Sequence, residues 1–128
     1  MDLLKFIAVY LGLKAVGTTN QNMGQCVGLA ELWLHVNRKP SIPGNAKDLL
    51  ANADRTAYKV TLNTPINCPV PGNVVVWGST WGAGYGHCAV VVAANVHQLV
   101  VFEQNDPAGY PPCVATHDYS GVLGWIGF

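Results

Sequence analysis

Two residues far apart in the chain carry the types and surroundings that thiol chemistry needs. Cys26 follows a run of small polar residues, Thr18-Thr19-Asn20-Gln21-Asn22-Met23-Gly24-Gln25, and opens an apolar stretch, Val27-Gly28-Leu29-Ala30-Glu31-Leu32-Trp33-Leu34. A thiol at a helix start sits at the positive end of the helix dipole, which favours the nucleophilic thiolate. His87, in Gly84-Tyr85-Gly86-His87, leads into a strand-like run, Cys88-Ala89-Val90-Val91-Val92. A thiol and a general base are the two parts of nucleophilic acyl transfer. Glu103 and Asn105 are two residues apart, so a strand through them puts both side chains on one face. If His87 faces the Cys26 helix, a carboxylate or amide from that neighbouring strand accepts its other N–H and fixes the ring. Cys88 is then expected on the opposite face, as a buried core thiol.

The remaining histidines carry weaker signals. His35 lies nine residues beyond Cys26 on the same helix, which turns it away from the thiol. His97 falls in a turn and is expected in solvent. His117, in Ala115-Thr116-His117-Asp118-Tyr119, is expected on a late loop from which its side chain can reach the site. Structural zinc takes ligand pairs separated by a few residues. The one close pair, His87-Cys88, faces two ways on a strand, so no metal is expected.

The elements that must position these groups are legible from periodicity. Leu3, Leu4, Ile7, Ala8 and Leu11 recur at helical spacing, predicting a helix over Leu3 to Ala15 that stops near Gly17. A second helix runs from Cys26 to about Asn37, ended by Lys39-Pro40. Asn45 is placed to cap a short third helix, Ala46 to Ala53. Strands are predicted over Tyr58 to Thr61, Val74 to Trp77, His87 to Ala94, Gln98 to Asn105 and Val122 to Ile126, with a glycine- and aromatic-rich loop over Ser79 to Gly86. Helices first, strands later and short links between strands predict an α+β domain with an antiparallel sheet.

The 128 residues suit a single domain, 1–128. Half are hydrophobic and 11% charged, a globular composition far from the disordered regime. Seven basic and seven acidic residues balance, without the basic excess of a nucleic-acid binder, so that class is set aside. The apolar stretch Leu3 to Val16 contains Lys5 and Lys14 and follows Asp2; it reads as an amphipathic helix rather than a signal peptide or a membrane span. Cys26, Cys68, Cys88 and Cys113 are widely spaced and form no CxxC pair, so mostly free thiols are expected, with Cys68–Cys113 the one pair considered.

Six stretches, in order, resemble a known family. They are Gly24-Gln25-Cys26-Val27, Pro43-Gly44-Asn45-Ala46-Lys47-Asp48-Leu49, Pro71-Gly72-Asn73-Val74-Val75-Val76-Trp77, Gly84-Tyr85-Gly86-His87, Glu103-Gln104-Asn105 and Tyr119-Ser120-Gly121-Val122-Leu123-Gly124-Trp125. Together they resemble a CHAP domain, the cysteine- and histidine-dependent amidohydrolase/peptidase family within the papain-like NlpC/P60 group, in its bacteriophage endolysin form. The resemblance implies a papain-like α+β core and a peptidoglycan hydrolase with Cys26 as nucleophile, His87 as base and Glu103 and Asn105 as the orienting pair. The bond would be N-acetylmuramoyl–L-alanine or a peptide bond of the stem or cross-bridge. Gln25 is the candidate second oxyanion donor, and Trp77, Trp81 and Tyr85 are candidates to line the substrate groove.

Some members of this family carry an Asp-rich calcium loop before the nucleophile. Here Thr18-Thr19-Asn20-Gln21-Asn22 has no carboxylate, so no calcium site is expected there. The family's frequent Asp two residues after the cysteine is Gly28 here. No cofactor is expected. The partner is bacterial peptidoglycan, without nucleic acid or membrane insertion, and a monomer is expected. No wall-binding repeat follows the last predicted strand, so the domain is expected to act alone, beside a separate wall-targeting module or subunit, or as the catalytic fragment of a longer chain. Its expected place is the host bacterial cytoplasm before release to the wall, or the virion. The alternatives are a catalytically inactive wall-binding or structural module of the same fold, and a tail-associated or bacterial wall-remodelling hydrolase.

Overall fold

The structure is a computed structural model describing residues 1–128. Helices α1 (Leu3–Tyr10) and α2 (Cys26–Val36) come first, followed by a 3-10 turn, Ala46–Asp48, that runs into the short α3 (Leu49–Asn52). Six strands follow: β1 (Lys59–Leu62), β2 (Val74–Trp77), β3 (His87–Ala94), β4 (Leu99–Glu103), β5 (Cys113–His117) and β6 (Val122–Gly127). They form one antiparallel sheet in the order β1-β6-β2-β3-β4-β5. The α+β class with an antiparallel sheet is as expected. No helix is long and apolar enough to cross a membrane.

Helix α1 starts where the Asp2 carboxylate accepts the Lys5 N–H at 2.9 Å, satisfying one of the free donors of the first turn. It ends at Tyr10, five residues before the predicted Ala15, because the chain turns at Gly12 and the Gly12 N–H bonds instead to the Pro112 carbonyl at 2.9 Å. Phe6, its one fully buried side chain, packs edge-on against Trp33 of α2 and Phe102 of β4. Helix α2 buries Leu29, Ala30, Trp33 and Leu34 against the sheet. Its buried Glu31 accepts the Ile42 N–H at 3.0 Å and the Ser41 hydroxyl at 2.7 Å, which ties the following loop to the helix. His35 and His97 are exposed, as expected.

The sheet has apolar side chains on both faces. Val74, Val76, Cys88, Val90, Phe102 and Ile126 meet α2 and α3 on one face. Val75, Trp77, Ala89, Val91, Leu99, Val101, Val122 and Trp125 form a second cluster on the other. This reverses one expectation. Alternation does put His87 and Cys88 on opposite faces, but it is Cys88 that faces the Cys26 helix. His87 shares the far face with Trp77 and meets Cys26 at the open end of β3. Two further corrections concern β4 and β5. Strand β4 stops at Glu103, because Asn105 takes a left-handed φ of 69° and leaves the ladder. Cys113–His117, expected as loop, is an edge strand paired with β4. All four cysteines are free.

Candidate active site

The start of α2, the start of β3 and the end of β4 bring the site together, with Cys26, His87 and Glu103 at those three element ends. The Cys26 end is fixed by close packing. An added Cβ at Gly28 would collide with the carbonyl oxygens of Asn22 and Val16, so no side chain has room at this place. Gln104, only 1% exposed, holds the same segment to the sheet. Its amide oxygen accepts the Val16 N–H at 2.8 Å, and its amide nitrogen donates to the Val16 and Gln25 carbonyls at 3.0 and 2.7 Å. The His87 end is fixed by Gly86, which has a φ of +82° and whose Cβ would lie 2.6 Å from the Lys47 nitrogen and the Trp77 oxygen. Only glycine combines that backbone shape with that closeness.

At the join, the Cys26 thiol sits against Cys88 and the His87 ring, and both favour its ionised form. On the ring's other side, His87 Nε2 lies 3.1 Å from Glu103 Oε1. A carboxylate accepts only, so Nε2 carries the proton and Nδ1 is left for Cys26. The His87 ring stacks on Trp81 at 5.7 Å and 17°, and Trp77 tilts against it at 5.1 Å. The same Glu103 oxygen receives a second imidazole, His117 Nε2, at 2.7 Å.

The electrostatics follow from these contacts. Donation from the Cys88 thiol is the largest influence on Cys26; burial opposes it, His87 adds to it, and the thiol is held down at about 4. Cys88, as donor and fully buried, is pushed well above the ordinary thiol range. Burial disfavours the charged form of His87, but the hydrogen bonds and charges of Cys26 and Glu103 outweigh it and raise the ring to about 9. Burial likewise opposes ionisation of Glu103, and the hydrogen bonds from His117 and His87 overcome it and hold the carboxyl at about 2. Near neutral pH the array is therefore thiolate, imidazolium and carboxylate in a row, a nucleophile joined to a proton donor.

A groove of about 630 Å³ opens over Cys26 and His87, lined among others by Gln25, Asn45, Tyr85, Asn105 and Asp106. Of the residues expected to line it, Tyr85 does so and is exposed. Trp77 does not: it is wholly buried beneath the His87 ring as part of the core. Trp81 packs on the imidazoles rather than on the groove. Gln25 lines the groove, with its amide nitrogen donating to the Gln21 carbonyl at 3.1 Å. Asn105 lines it too, but makes no hydrogen bond to His87; its amide oxygen accepts the Gly109 N–H at 2.7 Å. Sequence reasoning missed Gln104, whose place between Glu103 and Asn105 turns it toward α2, and the Cys88 contact with Cys26. The loop Thr18 to Asn22 does not fit a calcium ion. Besides lacking a carboxylate, its Asn22 Oδ1 is taken by the Thr18 and Thr19 N–H groups at 2.9 and 3.0 Å.

Comparison with known proteins gives the family and the fold. The family model described as the CHAP domain matches residues 16–105. Endolysin PlyTW of Staphylococcus phage Twort is 34% identical over 113 residues, a match covering 80% of this chain and 24% of PlyTW. The chain thus spans about a quarter of that relative's length. Among solved structures, the wild-type endolysin LysIME-EF1 is similar with a TM-score of 0.80 at 22% identity, over 97% of this chain and 61% of that one. Ly7917, solved with the hydrolysis product of MDP, is similar with a TM-score of 0.72 at 20% identity, over 96% and 60%.

Proposed function

This chain belongs to the CHAP domain family, and from that premise we propose that it is an endolysin-type peptidoglycan hydrolase that cuts an amide bond of the wall as a cysteine-dependent amidase or endopeptidase. The observation that carries the reading is the row Cys26, His87 and Glu103, with His87 Nε2 held 3.1 Å from Glu103 Oε1 and Cys26 and His87 lining an open groove. The phage lysin PlyTW, at 34% identity, supports the choice of substrate.

In this reading the Cys26 thiolate attacks the scissile carbonyl carbon, and the carbon–nitrogen bond breaks as His87 Nδ1 gives its proton to the leaving amine. The neutral ring then takes a proton from water as the water oxygen attacks the thioester, and collapse of the adduct frees the acid and the Cys26 thiolate, which restores the thiolate–imidazolium pair. Glu103 keeps the ring oriented and favours its charged form. The oxyanion meets the Cys26 backbone N–H, one of the donors left free in the first turn of α2, with Gln25 as the candidate second donor. Asn105 contributes as part of the groove wall, since its amide oxygen is engaged by Gly109. Tyr85, exposed beside His87, offers an aromatic face to the glycopeptide. No step requires a metal.

The test is clearing of purified cell walls. Cys26→Ala and His87→Ala should each abolish it while leaving the circular dichroism unchanged. Retained clearing by Cys26→Ala would end the nucleophile assignment, and an inert wild-type chain that still binds walls would favour the inactive module. Mass spectrometry of the released muropeptides then identifies the bond from the new termini.

A further inference from the structure

We propose that His117 is a positioning residue of this site, holding the Glu103 carboxylate in place for His87 through the oxygen that both rings share; the proposal rests on the catalytic reading of Cys26 and His87 given above. Glu103 is 2% exposed, and its Oε1 receives His117 Nε2 at 2.7 Å, closer than His87 Nε2 at 3.1 Å. The acceptor is a carboxylate, so both Nε2 atoms carry protons and both bonds are charge-assisted. His117 comes from the edge strand β5 and approaches along the sheet, opposite Leu99 in register rather than opposite Glu103. It reaches that oxygen between two walls. Trp77 and Trp81 meet its ring edge-on, at 5.3 and 5.2 Å, and leave its side chain 17% exposed. The other charged group beside it is Asp106, with Oδ2 at 3.8 Å from the same nitrogen.

The arrangement answers a problem that His87 creates. A buried carboxylate needs compensating partners at every stage. His87 is cationic before attack and neutral once it has protonated the leaving amine, so its support for Glu103 changes during turnover. His117 takes no part in that proton transfer and keeps an N–H on Oε1 throughout. Glu103 then has one orientation in both stages, and the His87 ring keeps its aim at Cys26. Without His117 the carboxylate is free to rotate, the imidazolium loses support, and the Cys26 thiolate loses its partner in turn.

The experiment follows the rate of Cys26 alkylation by iodoacetamide against pH, the labelled site read by mass spectrometry, in the wild-type chain and in His117→Ala, His117→Leu and His117→Gln. The first two remove the donor, and leucine keeps bulk between the tryptophans should alanine fail to fold. Glutamine keeps an N–H near the position of Nε2. The Ala and Leu variants should move the midpoint of thiolate formation upward by roughly one pH unit, the scale of one hydrogen bond to a charged group. They should lower kcat for wall clearing about tenfold with KM unchanged, while Gln stays near wild type in both. An unmoved or lowered midpoint in the folded Leu variant, or a Gln variant as impaired as Leu, overturns the proposal. Alkylation needs no substrate. A shifted midpoint with no wall clearing even by the wild type would therefore count against the proposed hydrolase and not against His117.

Discussion

Gln104→Ala is the substitution whose cost follows most directly from the contacts. The side chain is buried and makes three hydrogen bonds, one from the Val16 N–H and two to the Val16 and Gln25 carbonyls. At a net ~1 kcal/mol each, their loss costs about 3 kcal/mol. The groups left behind and the cavity raise this toward about 4 kcal/mol. That is a quarter or more of the roughly 5–15 kcal/mol that holds a domain together. Urea unfolding at neutral pH measures it as a lower midpoint with an unchanged slope. Gln104→Met separates the two contributions. It keeps the volume and removes the polar contacts, so about 3 kcal/mol should still be lost. Because Gln25 immediately precedes Cys26, the folded Met variant should also alkylate more slowly at Cys26. A loss under about 1 kcal/mol in both variants would mean that other partners satisfy those backbone groups, and the clamp argument would fail.

Three further outcomes follow from the site. In the wild type, Cys26 alkylation should rise with a midpoint near pH 4, and wall hydrolysis should fall again near pH 9 as His87 loses its proton; a single midpoint in the ordinary thiol range would contradict the ion pair. Cys88→Ala removes the side chain that most lowers the Cys26 thiol and should move that midpoint upward, whereas Cys88→Ser keeps a polar hydroxyl in its place and should move it less; equal profiles would show the Cys88 contact to be idle. EDTA should leave wall clearing nearly unchanged, because the loop before Cys26 lacks a carboxylate and spends Asn22 Oδ1 on its own backbone; strong inhibition reversed by calcium would refute that.

Much of this protein is legible in one dimension because helices and strands imprint local periods. The bounds of α2, β2 and β3 follow from apolar spacing and from proline and glycine punctuation. The chemistry of Cys26 and His87 is equally local, since a thiol at a helix start and a histidine opening a strand are readable from their neighbours. What folding alone decided is every relation between distant segments. Alternation says that His87 and Cys88 point apart, but which of them meets α2 depends on which face of the sheet the helix covers. β5 escapes notice because its half-buried alternation is weak and its strand character comes from pairing with β4. Without β5 there is no His117 at Glu103, and without the closure of α2 onto the end of β4 there is no Gln104 clamp. Hydrogen bonds across the chain reward contacts whose sequence separation leaves no period to read. The reactive groups are thus written in the residues, and their partners are chosen by packing.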